Sequence, residues 1–421
     1  MRFAGIDWAD AHHDVAVIDE AGRQLGTLRV THWATGLEEL VTFLRRHGAT
    51  DPQQVACIVE TTHGLLITAL LEAGFPVSPV NPKTLEHGRK PAGAKTDQID
   101  AYLLARKGRS DLGELRRLAP DSPLVQELKL LTRDQDALVQ TQTRLVNQLT
   151  ACLKAYFPAA LTLFTKLQQG VTLAFLQRYP TLEQAEAASV EELTAFLRSL
   201  PHYPGVVAAG RRIHARLHQP QWHADPLTTR VKARLTQAVV AQLLPVVEQI
   251  AAYDEEIERL FREHPDAPLF VSLPGAGKRL APRLLVGWGD ARERYASAQS
   301  LQGLAGTAPL AFQSGKYCKA RKRFACIKPL RNALYQFAWQ STKEAWALEY
   351  YQRKRREGKS HSVAVRALGN QWVRLIHAMW RRQRPYDEAV FRAAQEAQEA
   401  QEAQEAQEAQ EAQEAHARPA A

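Results

Sequence analysis

The sequence predicts an α/β domain at its N-terminus followed by a longer all-α region, and three observations carry that prediction. Short apolar runs alternate with helical spacing as far as residue 115. From residue 120 onward the apolar residues recur at helical spacing. Acidic residues end the apolar runs or head a helix in the first part, whereas Lys and Arg gather in the last third.

Arg2–Asp7, Asp14–Asp19 and Gln24–Val30 read as three consecutive strands, with a hairpin turn at Glu20-Ala-Gly22 before the third. A helix over 36–47 follows, then a buried strand, Gln54–Glu60, that ends on an acid. A helix over 65–73, a short strand over 75–80 and a helix beginning at Asp97 close the unit. Three strands, a helix, a strand, a helix, a strand and a helix give a ribonuclease H-like order over residues 1–115.

In that order Asp7 ends a central strand and Glu60 ends its neighbour, both beside the last helix. Thr96 can cap this helix, and Asp97 and Asp100, three apart, project from one face. Singly, each acid also reads as a solvated strand end or helix start. Together, four carboxylates at one edge repel unless cations lie between them. Phosphodiester chemistry with two divalent ions about 3.5–4 Å apart needs such a cage. His12, His13 and His63 are expected beside the cage rather than on the metal, since imidazole suits softer ions than magnesium.

The formal net charge is +9, and because residues 395–421 hold seven Glu against one Arg, residues 1–394 carry +15. So basic a body calls for a polyanionic partner, nucleic acid before an anionic membrane. No apolar run approaches the ~20 residues of a membrane span and no signal peptide opens the chain, so a cytoplasmic, nucleoid-associated protein is expected. Cys57, Cys152, Cys318 and Cys326 form no CxxC pair and read as reduced intracellular thiols.

Over 120–265 a helical middle is expected. Leu124, Leu128, Leu131, Gln135, Leu138, Gln142, Leu145, Leu149 and Cys152 form a heptad seam. It reads as a self-associating coiled coil, with one amphipathic helix inside its own domain as the alternative. Short helices punctuated by prolines fill 160–226, and a long helix runs over 227–262.

A C-terminal domain is expected over 266–345. Its Leu273-Pro-Gly-Ala-Gly277-Lys278 stretch resembles the turn of a helix-hairpin-helix, in which Gly275 and Gly277 let backbone N–H groups approach a phosphate and Lys278 adds charge. From Lys316 to Arg331 there are seven cationic residues (Lys316, Lys319, Arg321, Lys322, Arg323, Lys328 and Arg331) and no acid, a phosphate-contacting run. Ser314 heads this run on a Gly-flanked loop. Taken alone it reads as a turn-capping serine rather than a nucleophile.

A basic helical extension over 346–394, with Arg353–Arg356, Trp372 and Trp380, reads as another backbone-contacting surface. The Gln-Glu-Ala repeat over 395–421 has a period of three, offers no apolar stripe, and reads as frayed or disordered and dispensable.

These residues resemble those of a known family over most of residues 1–345. The motifs are Gly5-Ile6-Asp7, Val59-Glu60-Thr61, Lys95-Thr96-Asp97-Gln98-Ile99-Asp100-Ala101, Leu273–Gly277, and Ala305-Gly306 through Gln313-Ser314-Gly315. The family is the DEDD transposases of the insertion sequence 110 family, bridge-RNA-guided recombinases related to the Piv invertases. The resemblance implies a RuvC-like domain whose Asp7, Glu60, Asp97 and Asp100 bind magnesium, two ions in number. It implies a C-terminal transposase domain with Ser314 as the nucleophile of a phosphoserine intermediate. It also implies DNA as substrate, a structured non-coding guide RNA, and a homo-oligomer, dimer or tetramer. The chain departs from the family pattern at Asp10 and at Ala325-Cys326. Two other readings stay open: a RuvC-type metal-dependent junction nuclease that needs the four acids but not Ser314, and a non-catalytic nucleic-acid-binding scaffold that needs none of the five.

Overall fold

At the centre of the N-terminal sheet lies β1 (Arg2–Trp8), in the strand order β3-β2-β1-β4-β5. The computed structural model describes the chain except residues 10, 49–50, 62–63, 82–95, 119–120, 202–203, 296, 315–316, 322, 325 and 390–421, and the side chains of 293, 311–314 and 317–320. β2 (His12–Ile18) and β3 (Gln24–Thr31) run antiparallel in a meander from β1, whereas β4 (Val55–Val59) and β5 (Val77–Pro79) continue the sheet in parallel.

Alternation along each strand assigns the two faces. Ala4, Ile6, Val15, Val17, Val55, Cys57 and Val59 pack with α1 (Ala34–Gly48) and α2 (Leu65–Glu72). Phe3, Ile18, Ala56 and Ile58 pack with α3 (Asp97–Asp111) on the other side. This is the ribonuclease H-like arrangement expected from the order of elements.

The described residues divide into two compact units, one within 1–122 and 289–382, the other within 123–288 and 383–389. In the second, α4 (Pro123–Tyr156) is followed by short helices, α5 (Ala160–Leu163), α6 (Gly170–Arg178), α7 (Leu182–Glu186), α8 (Val190–Ser199) and α9 (Val206–Leu217). α10 (Pro226–Glu263) then returns antiparallel to α4. The Cys152 thiol lies 3.4 Å from the Lys232 carbonyl oxygen, and Gln135 Nε2 donates to Asp254 Oδ1 at 2.7 Å.

The heptad seam expected to join subunits is therefore covered by α10 of the same chain. Leu128, Leu145, Leu149 and Cys152 are buried, the last three in one core with Val239, Val240 and Leu243. Buried Gln135, which also accepts from Arg283 at 3.1 Å, fixes the register of this intramolecular pair. A 3.5-residue period reports an apolar face but not who owns the partner. One window of α10 has the length and mean hydropathy, 1.3, of a membrane span, yet Val239, Val240 and Leu243 within it are buried in protein. Residues expected at the head of the C-terminal domain, α11 (Ala267–Val271) and α12 (Gly277–Trp288), sit in this second unit.

The remainder of the first unit comprises α13 (Ala298–Leu304), an antiparallel hairpin of β6 (Leu310–Ser314) and β7 (Tyr317–Arg321), α14 (Lys328–Gln340), α15 (Ala345–Arg356) and α16 (His361–Arg382). Trp372 and Trp380, expected on a nucleic-acid surface, are fully buried. Trp372 Nε1 donates to Ser341 Oγ at 2.7 Å, and its ring lies 4.9 Å from Phe337 and from Trp346. A large amphipathic ring is worth most in a core when its N–H finds a partner, and here Ser341 supplies it.

Candidate active site

The site forms where α3 lies against the ends of β1 and β4. Side chains of one parity along β1 (Phe3, Gly5, Asp7) face α3, as does the Ala56, Ile58, Glu60 series of β4 and its continuation. Gly5 makes the close approach possible. A Cβ there would stand 1.9 Å from the Ala101 carbonyl oxygen and 2.3 Å from the Ala105 nitrogen. Gly108 repeats the device from the helix side, where a Cβ would meet Ile58 Cδ1 at 2.1 Å. With no side chain between helix and strand, the first turn of α3 comes down beside Asp7.

That first turn carries the other two acids. The Thr96 hydroxyl caps it, accepting from the Ile99 N–H at 3.3 Å, and Asp97 and Asp100 follow. Asp100 is buried, and Asp97 is half-exposed. Asp7 records the crowding. Burial, then the charges of Glu60, Asp100, Asp97 and Asp14 in that order, push its carboxyl from 3.8 up to about 7. All four expected acids thus converge.

Asp14 is a fifth that sequence reasoning missed. It stands directly opposite Asp7 in the β1–β2 register and is buried, neutralised by a two-pronged pair with Arg29 at 3.1 and 2.8 Å. The signal was present: an acid at the start of the second strand of a meander faces the end of the first. Arg29 also reaches to 4.0 Å from Asp97.

His12 lies between the acids, its Nε2 3.6 Å from Asp97 and 3.7 Å from Asp14, which brings one ligand atom of each within 4.8 Å of the others. Because Arg29 already holds both oxygens of Asp14, this trio is the rim of the carboxylate cluster rather than its centre. His13 is buried, its Nε2 2.8 Å from His32 Nδ1; burial, then the neighbouring His32 and His12, lower its pKa to about 4. His63 and Asp10 fall outside the described residues.

The donor set suits a hard divalent cation. It offers carboxylate oxygens, and burial and repulsion push the Asp7 carboxyl up to about 7, so that it holds its proton about half the time at neutrality, a state that a bound cation reverses.

Ser314 ends β6, paired across the hairpin with Tyr317, so it sits at a strand tip rather than in the loop expected. Gly315-Lys316, a Gly-X pair between two alternating runs, was the sequence signal for that hairpin. The side chain of Ser314 and that of Lys319 are outside the described atoms, as are Lys316 and Lys322.

Behind the hairpin, Gly306 takes a left-handed φ of 66°, where a Cβ would press on Cys326 at 2.8 Å. The Ile327 N–H donates to the Leu304 carbonyl at 2.7 Å, tying the start of α14 to the end of α13. Arg331 Nη1 donates to Cys326 Sγ at 3.5 Å. Cys326, part of the departure from the family pattern, therefore packs where the chain turns.

Of the expected nucleic-acid contacts, Arg321 and Lys328 are exposed, and Arg323 and Arg331 are half-buried. Gly275 and Gly277 adopt φ of 78° and 56°, as a tight turn requires, and exposed Lys278 is paired with Glu258 at 2.8 Å. These three belong to the second unit, and the acids to the first.

Residues 4–158 match the family model of the DEDD transposases of IS110, described as "Transposase", and residues 267–352 match that of the "Transposase IS116/IS110/IS902 family". The "Mini-circle putative transposase for IS117" of Streptomyces coelicolor is 31% identical over 92% of this chain and 95% of its own. The "Insertion element IS900 uncharacterized 42 kDa protein" of Mycobacterium paratuberculosis is 29% identical over 93% of this chain and 98% of its own. Among solved structures, Thermus thermophilus RuvC in complex with a Holliday junction substrate is 18% identical, covering 28% of this chain and 99% of its own at a TM-score of 0.22. Identity held along nine-tenths of both chains, with matches at both ends of the sequence, makes this chain a member of the IS110 family of transposases, enzymes that act on DNA.

Proposed function

We propose that the chain is a site-specific recombinase of an insertion sequence that cuts and rejoins DNA through a Ser314 phosphoserine, with Asp7, Glu60, Asp97 and Asp100 holding magnesium. The observation that carries the reading is the convergence of these acids on Asp7, whose carboxyl is pushed up to about 7. Such mutual repulsion is costly unless cations lie among the acids. Two magnesium ions would supply charge for the phosphoryl oxygens and for the attacking and leaving oxygens.

A recombinase must keep the bond energy of the strand it breaks, which hydrolysis discards. The Ser314 hydroxyl attacks the scissile phosphorus and forms a new P–O bond as the strand's own oxygen leaves, and the serine proton passes by way of solvent to that leaving oxygen. The ester then waits for the hydroxyl of the incoming strand to displace the serine. The cationic run over 316–331, with Arg321 and Lys328 exposed, would hold the backbone near that strand tip. A +15 body leaves charge for a second polyanion, the guide RNA that the family resemblance implies. We propose a homo-oligomeric assembly on the same resemblance, through a surface other than the α4 seam.

Ser314→Ala tests the reading. It should bind DNA as the wild type does and make no product, and the protein–DNA adduct that denaturing gels trap with the wild type should be absent. If Ser314→Ala nicks DNA at the wild-type rate and no adduct forms with either protein, the chain is a hydrolytic junction nuclease.

A further inference from the structure

α14 runs on from the Ser314 hairpin. Its buried face is Leu330, Ala333, Leu334, Phe337 and Ala338. Helical spacing gathers Lys328, Tyr335 and Trp339 on the opposite face, and Trp339 is 44% exposed.

The exposed indole is not loose. Its ring is held edge-on by His361 of α16 at 4.8 Å and by Tyr351 of α15 at 5.6 Å. Tyr351 and His361 are themselves joined, hydroxyl to Nδ1, at 2.9 Å, and Tyr335 meets the His361 ring at 6.5 Å. α15 ends in Arg353-Lys354-Arg355-Arg356, with Arg353 lying over the Tyr350 ring at 5.1 Å. Lys354 is paired with Glu357 at 2.9 Å, and the Arg355 guanidinium donates to the Lys359 carbonyl at 2.7 Å.

We propose that this face of α14, α15 and α16 is a stacking platform for single-stranded nucleic acid, with an unpaired base on the Trp339 ring and its phosphates along Lys328 and the α15 cations. Cations alone would attract any polyanion. An exposed aromatic face adds something only an unpaired base can use, because bases inside a duplex already stack on each other. Pre-ordering by Tyr351 and His361 lowers the entropy that the ring must lose on binding. The proposal rests on the recombinase reading for the origin of the strand, a guide-RNA loop or a displaced DNA strand, but not for its chemistry.

The test uses the full chain with fluorescent oligo-U, oligo-dT and a duplex of equal length. Trp339→Ala should weaken single-strand binding about 5- to 150-fold, the loss of one base–aromatic stack, and leave duplex binding and the salt slope unchanged. Trp339→Phe should retain most of the affinity. A loss confined to oligo-U assigns the platform to RNA, and one confined to oligo-dT to a displaced DNA strand. Crosslinking of iodouracil probes to wild-type protein should label the tryptic peptide 332–343, which holds Tyr335 and Trp339 and requires no variant to fold. Unchanged single-strand binding, an equal loss on duplex, or no label on that peptide overturns the proposal. The recombinase reading fails on the adduct and product assay, the platform on single-strand binding and crosslinking, so the two failures give different results.

Discussion

Replacing Asp7 with Asn converts the crowding of the carboxylate cluster into a measurable stability. In the folded chain without metal the Asp7 carboxyl ionises near 7, against 3.8 in the open. The folded state therefore holds a proton that the unfolded state has lost. The stabilisation from that proton is complete below about pH 4 and is lost as pH rises through 7.

Between pH 5 and 8 the linkage amounts to about 2–3 kcal/mol at full strength. Solvent screening of a carboxyl that is only partly buried reduces this to about 1–1.5 kcal/mol. For a unit of this size that is a fall in Tm of about 3–5 °C. The assay is thermal melting in EDTA at pH 5 and pH 8, repeated with millimolar magnesium. Wild type in EDTA should lose stability toward pH 8, and magnesium should restore it. Asp7→Asn should show neither the fall nor the magnesium response, and no strand cleavage. A wild-type Tm that is flat with pH in EDTA, or an Asn variant that melts lower than wild type at pH 8, would refute the reasoning.

Gly5→Ala should destabilise the first unit by several kcal/mol, of the order of an overpacked core, because the new methyl would meet α3 backbone 1.9 Å away; magnesium should no longer protect it in melts. Leu149→Ala, in the core shared by α4 and α10, should cost about 2–5 kcal/mol in urea unfolding and leave the elution volume on a sizing column unchanged, since its partner lies in the same chain.

The N-terminal fold was legible because each signal there is local. Alternation in 14–19 and 24–30, the acid closing Gln54–Glu60 and the Thr96 cap each report on a few neighbouring residues, and the order of elements does the rest. Asp7, Glu60, Asp97 and Asp100 could be placed at one edge for the same reason. Asp14 escaped because its role depends on a strand register and on Arg29, fifteen positions away in the next strand. Gln135 and the Leu128–Leu149 seam show the other limit. Spacing reports the apolar face, but the choice between a second copy and α10 depends on residues far along the chain, such as Asp254, 119 positions from Gln135. Trp372 and Trp380 were read from their basic neighbours, whereas Trp372 packs against Phe337 of α14 and Trp346 of α15, and Trp380 against Tyr295 and Arg292.

The unit that holds the acids is interrupted in sequence: it needs residues 1–122 and residues 289–382, with the α4–α12 unit made in between. At roughly 5–20 residues per second, a ribosome spends roughly 10–30 s on that intervening stretch. Throughout that interval the nascent chain carries Asp7, Glu60, Asp97 and Asp100 without the β6–β7 hairpin of the same unit. A chain released early would present the carboxylates without residues 289–382 of their own unit. Message stability and translation speed past Trp288 thus bear on how much complete enzyme, rather than fragment, reaches the DNA.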